Sequence, residues 1–380
     1  MAQIYVDGEA LFRKPDGVGR YTQRLISSLV SIDGQNSYTA IGMAGDQLAP
    51  RLISDKYSGL DYKYLPIPRK VYNYLYKHSV QINVDRFLRK PIDLTIYPNF
   101  VTKPKIATGK KILVIHDLAY LRTPDVIEQK NLKYMRRWVP RSIKRADLVV
   151  AVSQTTKEEL INLLDIKPKK IRVVENAVDD RFFAKPNKTE LRRVAEKFHL
   201  DEKFLLHVGT IEPRKNQLNL LIAYEQLPKA VRDEFPLVMV GGQGWNYDAI
   251  LSKIQQLKND KINVRVLGKV DDADLPGIYH SASAFALPSS YEGFGLPLIE
   301  AMAAGLPTIT SELAPMTEIA GQAALLVDPD SVDSISVGLV KILTNEKVRS
   351  DLNKAAPKQA RQFNWNNSAK KMQQVIEELL

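Results

Sequence analysis

The sequence predicts an α/β protein with two doubly wound domains. Short apolar or β-branched runs alternate with longer amphipathic stretches, which is the pattern of βαβ units around a parallel sheet. The pattern occurs twice, and a polar stretch around residues 185–203 separates the two occurrences. The length of 380 residues also exceeds the roughly 250 to 300 residues at which one core stops growing. We therefore expect two Rossmann-like domains facing a cleft, where ligands of such folds bind.

The expected strands are short, apolar and rich in β-branched residues. In the first half they lie at Ile4–Val6, Tyr38–Ile41, Leu94–Tyr97, Ile112–Ile115, Leu148–Val152 and Ile171–Val174. In the second half they lie at Phe204–Val208, Leu237–Val240, Val264–Leu267, Ala284–Leu287, Thr308–Thr310 and Leu325–Val327. Helices are expected in the gaps between them.

Composition and the N-terminal sequence exclude several kinds of site and indicate where the protein is located. The chain has no cysteine, which excludes disulfides, thiolate zinc sites and a cysteine nucleophile. A strand expected at Gln3–Asp7 leaves no room for the regions of a signal peptide. No apolar run approaches the roughly 20 residues needed to span a bilayer. We therefore expect a cytoplasmic protein that is soluble or peripheral to the membrane.

The segment Leu287–Glu300 follows an expected strand and opens a helix of about two turns. Gly293 and Gly295 precede this helix, so a phosphate can approach the N–H groups at its positive dipole end. Glu292 and Glu300 flank this anion site, and their carboxylates can accept hydrogen bonds from the hydroxyl groups of a ligand. Two solvated surface carboxylates are the alternative interpretation.

This segment resembles the E-x7-E motif of the retaining GT-B glycosyltransferases of family 4, many of which are mannosyltransferases of bacterial surface polysaccharides. The motif appears here within Tyr-Glu-Gly-Phe-Gly-Leu-Pro and is followed by Glu-Ala-Met-Ala-Ala-Gly-Leu-Pro. The resemblance implies that Glu300 holds the nucleotide ribose and that Glu292 contacts the donor sugar. It also implies that backbone amides from Phe294 to Leu296, beside Gly293 and Gly295, hold sugar hydroxyls and phosphate.

A second matching stretch runs from His207 to Asn216. Lys215 aligns with the diphosphate-binding lysine of the family, which implies that it stabilises the negative charge developing on the leaving nucleoside diphosphate. Many members have an arginine directly after the glycine, whereas here Thr210 follows Gly209. Arg214 is expected to take over that role. His207 lies in an expected buried strand and is interpreted as a core residue.

The turn at Val266–Val270 resembles the base-binding turn of the family, and Val270 is expected to contact the donor. In this family the contacts are made by main-chain groups. The sequence therefore leaves the base open.

Two places in the first half match the reaction centre of the family. Gly17 and Gly19 resemble its N-terminal glycine loop, which approaches the diphosphate. A dinucleotide-binding motif is a weak rival, because its third glycine would fall at Thr22. His116 directly follows an expected strand, and the resemblance implies that it reaches the donor sugar near the reacting carbon. The alternative for Gly17 and Gly19 is a turn that needs glycine for backbone reasons alone. The alternative for His116 is a histidine packed in a loop.

The net charge of +11 points to an anionic partner of the first half. Residues 51–150 carry 21 Lys and Arg against eight Asp and Glu. Basic and aromatic residues alternate through Tyr62–Lys90 and again through Lys130–Arg145. Both segments are interpreted as amphipathic helices that contact an anionic membrane or a phosphorylated acceptor lipid, and a solvated basic face is the alternative. No nucleic-acid-binding motif accompanies the charge, so nucleic acid is not expected.

The resemblance covers nearly the whole chain and implies a division of labour. Residues 1–182, together with a C-terminal helix at 364–380 that crosses back, would bind the acceptor, and residues 200–363 would bind the nucleotide sugar. The implied activity is a retaining, metal-independent transfer of a hexose to a glycan or lipid-linked acceptor, with no cofactor. Mannose from GDP-mannose is favoured. The alternatives are a UDP-sugar-dependent glucosyl- or N-acetylglucosaminyltransferase, a phosphorylase, and a nucleotide-sugar-binding scaffold without activity.

Overall fold

The computed structural model describes residues 1–11, 17–46, 59–78, 80, 82–88 and 91–380. The chain divides into two compact units. The first contains Met1–Leu118, Lys133–Asn176 and Trp365–Leu380, and the second contains Ala119–Leu132 and Ala177–Asn364. Each unit has its own parallel sheet with helices around it, so the expected fold class is confirmed.

The sheet of the first unit is formed by parallel strands: β1 (Gln3–Asp7), β2 (Ser37–Ala44), β3 (Leu60–Pro68), β4 (Leu94–Tyr97), β5 (Lys110–Ile115), β6 (Leu148–Ala151) and β7 (Ile171–Val173). Their order is β3-β2-β1-β4-β5-β6-β7. In this register Ile4 of β1 lies between Tyr38 and Leu94. The central strands are buried on both faces, which explains their almost continuously apolar sequences.

The sheet of the second unit is also parallel: β8 (Leu205–Val208), β9 (Leu237–Val240), β10 (Val264–Gly268), β11 (Ala284–Leu287), β12 (Thr308–Ser311) and β13 (Leu325–Val327). Their order is β10-β9-β8-β11-β12-β13. The direction of the order reverses between β8 and β11, which is where a doubly wound sheet opens a crevice for ligands. The core packs strand residues such as Leu205 and Met239 against helix residues such as Leu220 and Leu339.

The helices separate and follow the strands. They are α1 (Gly17–Ile32), α2 (Arg69–Lys77), α3 (Ala119–Arg122), α4 (Gln129–Arg145), α5 (Gln154–Leu164), α6 (Lys188–Phe198), α7 (Gln217–Glu225), α8 (Lys229–Glu234), α9 (Asp248–Asn259), α10 (Leu275–Ser281), α11 (Leu296–Ala303), α12 (Met316–Ala320), α13 (Val332–Thr344), α14 (Glu346–Ala360) and α15 (Trp365–Glu377). Within the described ranges, none of these helices combines the length and the apolar character that a membrane crossing requires.

The prediction of a helix through Tyr62–Lys90 is wrong over its first part, because residues up to Pro68 form β3. Only Arg69–Lys77 is helical, and residues 79, 81, 89 and 90 lie outside the described part. Among the described residues, β3 is the edge strand of the sheet and pairs only with β2. An edge strand tolerates the charged residues and prolines that hid it in the sequence.

The C-terminal helix α15 belongs to the first unit and packs against α1, which confirms the expected return of the chain. It starts at Trp365, one residue after the expected start at residue 364. The ring of Trp365 meets that of Tyr21 at 6.0 Å, and the Ser368 hydroxyl donates a hydrogen bond of 2.8 Å to the Glu175 carbonyl. The helix thereby completes the core of this unit.

Candidate active site

The loops after β8 and β11 are joined by hydrogen bonds at the point where the strand order reverses. Asn216 adopts a left-handed conformation with φ 59° and closes the turn of residues 213–215. Its buried amide donates to the Pro288 carbonyl at 2.9 Å and to the Pro329 carbonyl at 2.7 Å. The Ser290 amide in turn donates to the Arg214 carbonyl at 3.0 Å. These bonds fix the side chains of the first loop against those of the second.

A cluster of two cations and two carboxylates lies at this junction, and we call its members Glu212, Arg214, Lys215 and Glu292 the charge cluster. The Lys215 ammonium donates to Oε1 of Glu292, and Arg214 donates to Oε2 at 2.9 Å. Arg214 also pairs with Glu212 at 2.9 Å. The Ser289 hydroxyl donates to Glu292 at 3.0 Å. The cluster is formally neutral.

Burial and the charge of the partner shift the pKa values of Glu292 and Lys215 in opposite directions. Glu292 is 5% exposed and Lys215 is 7% exposed. Burial raises the pKa of the Glu292 carboxyl, but the charges of Lys215 and Arg214 and the hydrogen bonds outweigh it and bring the pKa to about 2. Burial lowers the pKa of Lys215, and the charge of Glu292 opposes this. The charge of each group therefore depends on the charge of the other.

The helix α11 begins directly beside this cluster. Gly295 precedes it with φ 98°, a backbone conformation that favours glycine, and a Cβ at this position would displace Cε of Met316, which lies 2.4 Å away. Phe294 is buried, and its ring meets that of Phe363 at 5.5 Å. Among the described residues, the amides of Phe294 and Gly295 donate to no backbone acceptor. These N–H groups can bind an anion.

Glu300 lies in the middle of α11 and is buried to all but 5%. The hydroxyl of Tyr279, a fully buried residue of α10, donates to its Oε2 at 3.0 Å. The Tyr279 ring is in turn packed edge-on against Phe182 at 5.6 Å. A buried carboxylate held in this way has a fixed position from which it can accept further hydrogen bonds.

The turns after β8 and β9 touch each other backbone to backbone. Gly241 has φ 153°, and a Cβ there would lie 1.9 Å from the Gly209 carbonyl oxygen. Thr210 is exposed, and its carbonyl accepts a hydrogen bond of 2.8 Å from Gln217. Val270 is half-buried and follows Gly268, which ends β10 with φ 69°. These residues therefore lie at the carboxyl edge of the second sheet.

His207 lies beneath these turns and has no exposed surface. Its Nδ1 hydrogen-bonds to the Ala286 carbonyl at 2.9 Å, and its Nε2 to the Gln217 amide at 3.2 Å. Burial is the main cause that lowers its pKa to about 4, so the ring is neutral. As expected from its strand, it is a core residue that ties β8 to β11.

The candidates of the first half lie in the first unit. Gly17 and Gly19 form the first turn of α1 rather than a loop before it, and Gly19 is buried. The residues 12–16 of the expected glycine loop lie outside the described part. His116 follows β5 and is 8% exposed, with Nε2 at 2.7 Å from the Pro98 carbonyl. Its ring stands edge-on to Tyr21 at 4.8 Å.

Both halves of the chain are similar to known glycosyltransferases. The family Glycosyl transferases group 1 matches residues 188–359, and Glycosyltransferase Family 4 matches residues 15–182. The O-antigen chain mannosyltransferase B of Escherichia coli is 32% identical over 271 residues, which cover 71% of this chain and 70% of that protein. The chain belongs to glycosyltransferase family 4.

One further relative and one solved structure are similar to this glycosyltransferase. The serotype-specific mannosyltransferase WbdA of Escherichia coli is 30% identical over 265 residues, or 68% of the chain, and the match covers 32% of WbdA. The chain thus spans about a third of that protein. The crystal structure of HepE from Anabaena in complex with UDP-glucose is 17% identical, with a TM-score of 0.74 over 100% of both chains. The similarity to HepE is one of fold alone, the GT-B fold.

Within the second unit of this glycosyltransferase, Arg214, Lys215 and Glu292 are brought into direct contact. Sequence reasoning missed Glu212, Ser289 and the Tyr279 partner of Glu300. Glu212 stands two residues before Arg214, so the local sequence carried a weak signal for it. The local sequence carried no signal for Tyr279, because only the packing of α10 against α11 brings this residue to Glu300. Among the described residues, no group of three His, Asp or Glu side chains could hold a metal ion.

Proposed function

We propose that this glycosyltransferase moves a hexose, with retention of configuration, from a nucleoside diphosphate to a glycan or lipid-linked acceptor. The observation that carries the proposal is the contact of Lys215 and Arg214 with Glu292 beside the N-terminus of α11. This arrangement offers two cations and backbone amides to a diphosphate, and carboxylates to the hydroxyls on either side of it. Mannose from GDP-mannose is the proposed donor, because relatives at about a third identity are named O-antigen mannosyltransferases.

The proposed reaction breaks the bond between the anomeric carbon and the diphosphate oxygen. Lys215, Arg214 and the amides of α11 stabilise the charge that develops on the leaving diphosphate, so the mechanism needs no metal ion. The acceptor hydroxyl attacks from the same face, and its proton passes to the leaving phosphate. Glu292 positions the donor sugar and forms no covalent bond. Glu300 holds the ribose, fixed by Tyr279.

The first unit would supply the acceptor side of the reaction. We assign residues 1–182 and 364–380 to this role and residues 200–363 to the donor. His116 would reach the donor sugar near the reacting carbon, with its Nε2 donating to the Pro98 carbonyl, which fixes the ring. Gly17 and Gly19 at the start of α1, together with Gly209, Thr210 and Val270 in the second unit, would line the donor.

A UDP-sugar donor is the second candidate. It is favoured by the fold likeness to HepE, whose structure contains UDP-glucose. The main-chain character of the proposed base contacts at Val270 does not discriminate between the bases. A thermal-shift screen with GDP, UDP, dTDP and ADP sugars distinguishes the candidates, since only the matching nucleotide should stabilise the protein markedly. Stabilisation by UDP sugars alone would overturn the mannose proposal.

The ribose assignment is tested by Glu300→Ala. We expect the affinity for GDP-mannose to fall about 10- to 100-fold, because the ribose hydroxyls lose a charged acceptor worth roughly 1.5–3 kcal/mol. Calorimetric titration measures this change. Glu234→Ala is the control, since Glu234 is half exposed and pairs with Lys203 on the surface of the same unit. Equal nucleotide affinity in both variants contradicts the assignment.

We also propose that α4 contacts an anionic membrane or a phosphorylated lipid acceptor, at a cytoplasmic membrane face. This helix carries seven Lys and Arg and no acidic residue, and all seven are exposed. In α2, Tyr74 is 63% exposed and Val71 is 48% exposed beside exposed Lys70. Basic residues with exposed apolar side chains are typical of interfacial segments.

Cosedimentation with phosphatidylglycerol vesicles tests this contact. We expect binding that falls with salt and that is lost on replacing Lys133, Arg136 and Lys144 by Glu, since each basic residue contributes on the order of 1 kcal/mol near such a surface. Phosphatidylcholine vesicles serve as the control. Equal binding to both vesicles, or no effect of the three replacements, argues for a solvated basic face.

A further inference from the structure

The carboxylate of Glu292 engages the same two cations that the proposed function assigns to the diphosphate. Its Oε1 accepts hydrogen bonds from Lys215 and Ser289, and its Oε2 accepts one from Arg214. A diphosphate that binds Lys215 and Arg214 must therefore compete with Glu292 for them. The competition is strong because the cluster is buried and already neutral.

The cost of this competition depends on what replaces the cations around Glu292. A buried carboxylate that loses its donors is strongly unfavourable, whereas one that gains new donors is not. A nucleoside diphosphate without a sugar brings acceptor oxygens but no hydroxyl to Glu292. A nucleotide sugar brings hydroxyl groups next to the phosphate, and these can donate to the carboxylate as the cations turn towards the phosphate.

We propose that Glu292 is a specificity-determining counter-ion, which makes the site discriminate the sugar-loaded nucleotide from the spent nucleoside diphosphate. It lowers the affinity for the product and so favours its release. This inference rests on the proposed function of the site. It differs from a plain sugar contact because it couples Glu292 to the affinity for a ligand without a sugar.

Glu212 offers a matched comparison within the same cluster. It is 2% exposed and pairs only with Arg214 among the described residues, at 2.9 Å. Replacing either carboxylate by its amide removes one negative charge from the charge cluster. Loss of the Glu212 charge should strengthen the binding of every diphosphate, with or without a sugar. Loss of the Glu292 charge should strengthen the binding of only the nucleoside diphosphate without a sugar.

Calorimetric titration with GDP and with GDP-mannose tests the proposal. We expect GDP to bind Glu292→Gln on the order of tenfold more tightly than the wild type, with no such gain for GDP-mannose. Glu212→Gln should tighten both ligands alike. If GDP binds Glu292→Gln no more tightly than the wild type, Glu292 is a sugar contact only and the proposal is overturned, even where GDP-mannose binds more weakly.

The wild-type protein provides a second measurement that does not depend on the folding of a variant. Free mannose supplies hydroxyl groups to Glu292, so saturating mannose should increase the affinity for GDP several-fold. A GDP affinity that does not change with mannose contradicts the coupling. If the wild type binds neither GDP nor UDP, the proposed function itself fails, whereas nucleotide binding without the Glu292 effects contradicts only this inference.

Discussion

Lys215→Met is expected to lower the rate of sugar transfer by about 10²- to 10³-fold at saturating donor, because one preorganised cation at a developing charge is worth this much. Methionine keeps an apolar stem like that of lysine. The lysine stem packs beside Gly209, where Cδ of Lys215 lies 3.7 Å from the position that a Cβ on Gly209 would take. The variant removes only the ammonium, which donates to Glu292. The measurement is the release of GDP from GDP-mannose at saturating concentration.

The control for this variant is Lys203→Met. Lys203 is 53% exposed and forms a surface ion pair with Glu234 at 2.6 Å, so it should leave the rate unchanged. Because Glu292 keeps Arg214 as a partner, the variant should still fold, and thermal unfolding checks this. A folded Lys215→Met protein with a wild-type rate would remove Lys215 from the mechanism.

Gly241→Ala is expected to destabilise the second unit by about 3 to 5 kcal/mol, since it combines backbone strain with a backbone clash. The φ of 153° is unfavourable for alanine, and the added Cβ would lie 1.9 Å from the Gly209 carbonyl oxygen. Neither backbone can move without disturbing β8 or β9, which pair through His207 and Met239. Urea unfolding should show this decrease in the free energy of unfolding. Nucleotide binding should also weaken, because the turn at Gly209 must shift.

The neighbouring Gly242→Ala is the matched control for this prediction. A Cβ at Gly242 meets no atom within 4 Å, and its φ is ordinary. The replacement should therefore change the free energy of unfolding by no more than about 0.5 kcal/mol. Equal stability of the two variants would show that the turns do not pack as described.

The alternation of apolar and amphipathic runs was sufficient to predict the fold, because buried parallel strands have continuous apolar sequences. It located β8 and β11 within one residue at each end. β3 escaped because an edge strand alternates between exposed and buried residues, and Lys63 and Pro66 masked it as a basic segment. Its packing partners, not its own sequence, make it a strand.

The candidate site was predictable as a set of residues but not as a set of contacts. The motif placed Glu292 in a loop and Glu300 in a short helix, as found. The pairing of Lys215 with Glu292 joins residues 77 positions apart and depends on β8 and β11 being neighbours. Local sequence carries no information on such a pairing. For the same reason, the competition for Lys215 emerged only from the structure.

The most direct test of sugar transfer with retention is the proton NMR spectrum of GDP-mannose incubated with purified protein. We expect the slow release of GDP and of mannose whose first-formed anomer is α, the configuration of the donor, and a release about 10²- to 10³-fold slower with Lys215→Met. First-formed β-mannose would contradict retention. A donor that stays intact with GDP, UDP, dTDP and ADP sugars alike would contradict the proposed activity.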